Sequence, residues 1–161
     1  MAGIRIVPAQ ASDVPVILEM IKALADYEQL THEVVATEDD LRQSLFGPRP
    51  AGEVVLAYAG DTPIGFALFF HNFSTFLGRH GLYLEDLFVV PEWRGKGVGK
   101  QLLAHIAAIA ESRKCGRMEW AVLDWNESAI AFYRRMGAHV LDEWRLCRLT
   151  GHELRAASTR A

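Results

Sequence analysis

Arg94-Gly95-Lys96-Gly97-Val98-Gly99-Lys100 is the stretch on which the reading of this chain turns. It follows an apolar, strand-like run, Leu82 to Val90, and opens a run with helical periodicity, Val98 to Arg113. A strand feeding a glycine-rich turn at a helix N-terminus leaves several backbone N–H groups unpaired at the positive end of the helix dipole. Such a turn suits phosphate or pyrophosphate. Its glycines permit dihedrals closed to other residues and let the backbone approach a ligand closely. Arg94, Lys96 and Lys100 add positive charge, so the implied ligand carries a diphosphate.

Two ligand classes fail on spacing. A nucleoside-triphosphate loop needs Gly, four residues, Gly-Lys and then Ser or Thr. Here Gln101 follows Gly99-Lys100, and Arg94 stands where the first Gly belongs. A dinucleotide fingerprint needs a third Gly at position 100, which is Lys, within an opening β-α-β unit.

Composition narrows the class. At 161 residues the chain is long enough for one domain with a full core, and its 50% hydrophobic and 23% charged residues are those of an ordinary soluble protein. A net charge of −3 argues against a general nucleic-acid or membrane-surface role. No apolar run approaches the roughly 20 residues that span a bilayer. The opening Met1-Ala2-Gly3-Ile4-Arg5 lacks the layout of a signal peptide. Cys115 and Cys147 have no C-x-x-C spacing, so a reduced, cytoplasmic setting is expected. The histidines show no metal-ligand spacing, and no metal site is expected.

Along the chain, Ile4 to Val7 reads as a strand, and Ser12 or Asp13 can cap a helix with Val16, Ile17, Met20, Ile21 and Leu24 on its apolar face. Thr37 to Asp40 has capping-box character and starts a helix through Phe46, ended by Gly47-Pro48-Arg49-Pro50. Val54 to Ala59 and Ile64 to Phe70, around Gly60-Asp61-Thr62, read as a hairpin. Asn72 to Gly81 reads as a loop or bent strand, and Met118 to Leu123 as a strand. Asn126 or Asp124 caps a helix to Met136, with Gly137 at its C-terminus. Ala138 to Leu149 supplies one or two last strands, and residues from Arg155 to Ala161 read as a frayed tail. The order β-α-α-β-β-β-α-β-α-β is α+β or mixed α/β with a largely antiparallel sheet, in a single domain over 1–161.

Arg94-x-x-Gly97-x-Gly99 resembles the pyrophosphate loop of the GCN5-related N-acetyltransferases, which bind acetyl-CoA and share this element order. The resemblance implies a sheet of about six or seven strands flanked by about four helices. Acetyl transfer from a thioester to an amine sets three requirements. The amine must lose the proton it carries at pH 7. The carbonyl oxygen of the tetrahedral intermediate needs a hydrogen-bond donor. The departing thiolate benefits from an acid. In Tyr83-Leu84-Glu85-Asp86-Leu87-Phe88-Val89-Val90 strand alternation points Glu85 and Asp86 to opposite faces of an otherwise apolar run. Either the pair is salt-bridged or at an edge, or Glu85 faces a cationic substrate and takes its proton. Tyr133, in the helix after Asn126, is either an aromatic packed on the sheet or the acid for the leaving group.

A wider set of motifs is similar to the diamine (spermidine/spermine) N-acetyltransferases and their thialysine-acetylating relatives, over roughly residues 4 to 146. It comprises Leu82-Tyr83-Leu84-Glu85-Asp86, the glycine turn, Asp124-Trp125-Asn126-Glu127, Phe132-Tyr133-Arg134-Arg135-Met136-Gly137-Ala138, and in the opening Ile6-Val7-Pro8-Ala9 with Ile21 to Glu28. The resemblance implies Tyr133 as general acid and Glu85 as base, through a water. It implies that main-chain groups of Leu87, Phe88 and Val89 hold the pantetheine and polarise the acetyl carbonyl. Gly95, Lys96, Gly97, Val98, Gly99 and Lys100 would hold the pyrophosphate, with Arg94 also binding the cofactor and Asn126, Ser128 and Ala129 touching it near Tyr133. Tyr27, Glu28, Glu85, Glu119 and Trp120 would form the acceptor site, and the enzyme would be a homodimer. Asn72-Phe73-Ser74-Thr75-Phe76-Leu77 lacks the acidic residue that polyamine-acetylating members carry there, and resembles the thialysine type. Met136 sits where some relatives place a basic residue near the cofactor. A protein or peptide N-acetyltransferase, or a non-catalytic acyl-CoA-binding protein, would share much of this apparatus.

Overall fold

The computed structural model describes residues 3–160. The chain divides after Leu123 into two compact units. In the first, strands β1 (Ile4–Pro8), β2 (Glu53–Ala59), β3 (Thr62–Ser74), β4 (Arg79–Val89) and β5 (Met118–Glu119) form one sheet in sequence order. The first three pairings are antiparallel, whereas β4 and β5 run parallel. A parallel pair needs a crossover, and helix α3 (Val98–Ser112) supplies it straight after the glycine turn.

Residue spacing sets the two layers on this sheet. Helix α1 (Val14–Tyr27) buries Val14, Ile17, Leu18 and Met20, and helix α2 (Glu38–Phe46) buries Leu41 and Leu45, one turn apart. These residues join Val54, Leu56, Phe66 and Phe88 of the sheet in one cluster. Gly65, next to Phe66, points to the opposite face, where α3 buries Val98, Leu102, Leu103, Ile106 and Ala110. A Cβ on Gly65 would lie 2.6 Å from the Phe88 carbonyl oxygen and 3.2 Å from Leu102 Cδ1. The close approach of backbone at this point therefore requires glycine. Gly65→Ala is expected to lower unfolding stability by about 1–3 kcal/mol, the usual cost of overpacking. An unchanged urea midpoint would refute that packing.

Local signals place the helix ends. Thr37 Oγ1 accepts from the Asp40 N–H at 3.2 Å while Asp40 Oδ2 accepts from the Thr37 N–H at 2.8 Å, the capping box expected at α2. The Asp13 carboxylate, before α1, accepts instead from the Gln10 N–H at 2.7 Å. Gly60, at φ +60°, turns the β2–β3 hairpin.

The second unit holds α4 (Glu127–Arg135) and α5 (Gly151–Ser158). Asn126 caps α4, its Oδ1 accepting from the Ala129 N–H at 3.3 Å. At the other end Gly137, at φ +93°, donates to the Arg134 carbonyl and Ala138 to the Tyr133 carbonyl, both at 3.0 Å. This paired arrangement satisfies two carbonyls at the helix end.

Four expectations need correction. The described residues form five strands and five α-helices, not six or seven strands and about four helices. No strand forms among the described residues of Ala138–Leu149, where Leu141, Trp144, Leu146 and Leu149 are exposed. A strand exists through its ladder partner, and apolar content alone does not provide one. Arg155 to Ser158, read as frayed tail, belongs to α5, whose Glu153, Leu154, Arg155, Ala156 and Ala157 are strong helix formers. Asn72 to Gly81 is the tip of the β3–β4 hairpin, so both strands are longer than their apolar runs.

Candidate active site

The turn between β4 and α3 is built as the sequence predicts. A 3-10 turn over Pro91–Trp93 leads into Arg94, then Gly95 at φ +73° and Gly97 at φ +83°, the latter the N-cap residue of α3. Both glycines need the left-handed region, and a Cβ on either would meet open space. No side chain caps α3. The N–H groups of Val98, Gly99 and Lys100 thus end the helix without a capping side chain, the arrangement that binds an anion.

The cations around the turn are arranged differently from one another. Lys96 Nζ lies 4.9 Å from the Trp93 ring centroid. The Arg94 guanidinium turns back onto the protein, 4.3 Å from the Tyr27 ring centroid and 5.4 Å from that of Phe88. Arg94 Nε donates to the Val89 carbonyl at 2.9 Å. Tyr27 of α1, the end of β4 and the glycine turn are thereby drawn together.

β4 carries a bulge that re-aims its acids. Leu68 of β3 pairs with Asp86 and Phe69 with Leu84, leaving Glu85 as the extra residue without a partner. A bulge shifts the alternation of side chains. Asp86 thereby sits across from Leu68, which packs against the α1–α2 cluster, and Glu85 is exposed. Burial pushes the Asp86 carboxyl up to about 7, with the Glu85 and Glu28 carboxylates adding to the rise. Burial also raises the carboxyl of Glu28, just beyond α1. Three acids thus share one neighbourhood, and an ammonium placed among them would relieve their mutual repulsion. Of the expected acceptor residues, Glu28 and Glu85 belong to it, and Tyr27 directly precedes Glu28 in the chain.

Glu119 lies on the other side of the same strand, paired in register with Tyr83. Burial raises the Tyr83 phenol, and Glu85 and Glu119 raise it further. Glu119 also receives Arg117 Nε at 3.0 Å. Trp120, half-buried, follows directly. Beyond Tyr83 the second edge of β4 has no strand partner among the described residues. Leu87, Phe88 and Val89 lie on that stretch, although the Val89 carbonyl is engaged by Arg94.

In the second unit, Asn126, Ala129 and Tyr133 fall at i, i+3 and i+7, on one face of α4. Ser128 Oγ donates to Asn126 Oδ1 at 3.3 Å. Tyr133 is half-buried, with its ring centroid 5.3 Å from that of Phe132.

Two features escaped the sequence reading. Asp86 was visible as half of an acid pair, but only the bulge decides which acid is buried. The histidines, read as scattered, include a cluster in which His71, His80 and Cys115 bring ligand-type atoms within 4.8 Å of one another. His71 Nδ1 donates to the Gly81 carbonyl at 2.9 Å, which leaves Nε2 to accept from Arg113 Nη1 at 3.0 Å. His80 Nε2 donates to the Arg113 carbonyl at 2.9 Å. With a guanidinium over His71 and bonded to Glu53, the trio works as a polar corner joining β2, β3, β4 and α3.

Comparison with known proteins identifies the chain's family and relatives. The model of the Acetyltransferase (GNAT) family matches residues 18–138. The L-ornithine N5-acetyltransferase NATA1 of Arabidopsis thaliana is 38% identical, over 94% of this chain and 86% of that protein. The thialysine N-epsilon-acetyltransferase of Mus musculus is 36% identical, over 99% of this chain and 100% of that protein. Among solved structures, an integron cassette protein from the mobile metagenome of V. cholerae superposes with a TM-score of 0.82 at 28% identity, covering 99% of both chains.

Proposed function

The chain belongs to the Acetyltransferase (GNAT) family, and from that premise we propose that it moves an acetyl group from acetyl-CoA to the primary amine of a small cationic acceptor. Thialysine, ornithine, lysine-like amino acids and short diamines are the acceptors in view. The observation that carries this reading is the gathering of Glu28, Glu85 and Asp86 beside a glycine turn that leads into a helix without a capping side chain. The first feature suits an ammonium and the second a diphosphate.

The residues divide the work of direct transfer. Glu28 and Asp86 draw the ammonium in, and exposed Glu85 takes its proton through a water. The freed lone pair attacks the thioester carbonyl to give a tetrahedral oxyanion; the nitrogen then sheds its second proton to solvent water, and collapse of the oxyanion breaks the C–S bond and leaves the amide. Main-chain N–H groups on the open edge of β4 at Leu87–Val89 steady the oxyanion. Tyr133 gives its proton to the departing sulfur and regains one from solvent. The N–H groups at Gly95–Lys100 hold the carrier's diphosphate, and Asn126, Ser128 and Ala129, in and before the first turn of α4, are assigned to the cofactor.

Acceptor size follows from the hairpin tip. Residues 72–77 contain no acid, so a long polyamine would find one anion fewer. A surface ion pair contributes up to about 1 kcal/mol, so compact amines are favoured over spermine. Acetyl-CoA with a panel of thialysine, L-ornithine, lysine, putrescine, spermidine and a lysine peptide is expected to release thiol fastest with a compact amine. Preference for the peptide would make it a protein acetyltransferase, and CoA binding without turnover a non-catalytic carrier.

The family match crosses the boundary between the two units, which supports one functional domain. We assign it to the cytoplasm, as a homodimer, with both free cysteines as thiols. Among the described residues no helix is long and apolar enough to cross a membrane.

A further inference from the structure

We propose that Arg94 is a positioning residue that couples the acceptor end of α1 to the cofactor turn through the ring of Tyr27. This inference rests on the acyl-CoA reading of the glycine turn and goes beyond it. A phosphate-binding role would need the Arg94 guanidinium turned toward the turn's open N–H groups. Instead it is sandwiched: the Tyr27 ring centroid lies at 4.3 Å and that of Phe88 at 5.4 Å. Its Nε is committed to the Val89 carbonyl at 2.9 Å. A planar guanidinium can stack and donate in this way, and an ammonium cannot do both.

The contact joins three pieces that are separate in the sequence. Tyr27 is the last residue of α1, and the chain leaves the helix through Glu28 and Gln29, the latter at φ +61°. Val89 ends β4, and Arg94 directly precedes the two left-handed glycines of the turn. Whatever fixes the Tyr27 ring therefore fixes Arg94, and with it the backbone entering Gly95. An amine held against Tyr27 and Glu28 pre-orders the anion-binding N–H groups. By thermodynamic reciprocity, a carrier on the turn tightens the amine site by the same factor.

The test is CoA affinity, measured by calorimetry with CoA alone on variants of Tyr27, a residue assigned to the acceptor and not to the cofactor. Tyr27→Leu keeps apolar bulk and loses the π face; Tyr27→Phe keeps the face and loses only the hydroxyl. A cation–π contact of this kind corresponds to about a 5- to 10-fold effect. Tyr27→Leu is expected to raise the CoA Kd by that factor, with Tyr27→Phe staying within about twofold of the parent. Arg94→Lys should raise it similarly, and the Arg94→Lys, Tyr27→Leu double variant should be no worse than the weaker single. Additive losses, equal weakening by Tyr27→Phe, or a CoA Kd unmoved by Tyr27→Leu would each overturn the coupling. A parent protein that does not bind CoA would overturn the acyl-CoA reading itself, a distinguishable result.

Discussion

Tyr133→Phe is expected to lower kcat on the best amine by about 10²-fold or more while CoA affinity stays within about twofold. The substitution removes one oxygen and keeps the ring that packs beside Phe132. The departing thiolate, whose thiol has a pKa of roughly 8.5, is mostly protonated at neutral pH once free, so an acid that delivers the proton as the C–S bond breaks favours its departure. Tyr133 follows Ala129 by one turn and the N-cap Asn126 by two, on one face of a helix fixed at both ends by its caps. The caps keep α4 in one conformation, so the spacing of Tyr133 from Ala129 and Asn126 is constant. Because the proton is needed only as the C–S bond breaks, the loss should appear in kcat. Turnover within threefold of the parent would remove Tyr133 as the acid.

What the sequence disclosed was what short-range chemistry determines. The Thr37–Asp40 capping box, the Gly60 turn, the Asn126 cap and the Gly137 terminus each depend on residues a few positions apart, and each formed as expected. The glycine turn was legible for the same reason, since positive φ at Gly95 and Gly97 is a local demand. Features decided by distant partners were not legible. The segment 138–149 is apolar enough to read as a strand but gains no ladder among the described residues. β5 shrinks to Met118–Glu119 because β4 accepts only that much parallel pairing. Nothing in Leu84-Glu85-Asp86 announces a bulge, because β3 decides which residue is left over. Arg94 read as a cofactor-binding residue from its place in the motif, but only the fold could bring Tyr27 beneath it. His71, His80 and Cys115 meet at a corner that no sequence spacing encodes.

Asp86→Asn is expected to stabilise the protein at pH 8 and to leave stability nearly unchanged at pH 4. The sign follows from which state holds its proton longer. Folded Asp86 titrates at about 7, while in the unfolded chain it titrates near an ordinary aspartate. Between those values the unfolded state has already ionised and the folded state has not, so this group makes stability fall as pH rises. Above pH 7 both are ionised and the whole cost of the buried anion is present. A gap of about 3 pH units sets a ceiling of about 4 kcal/mol. Asparagine keeps the shape of the neutral acid and never ionises, so it escapes that cost. Glu85→Gln and Glu28→Gln should act more weakly in the same direction, because each removes one anion opposing Asp86 and leaves its burial in place. Urea unfolding at pH 4 and pH 8 measures the difference, and equal shifts at both would show that Asp86 is not strained when ionised. The same substitution should reduce kcat/KM for a cationic amine above pH 7, where the parent presents a carboxylate and the variant does not. Stability gained together with activity lost is the behaviour of a charge retained for the ligand it meets, against the preference of the fold around it.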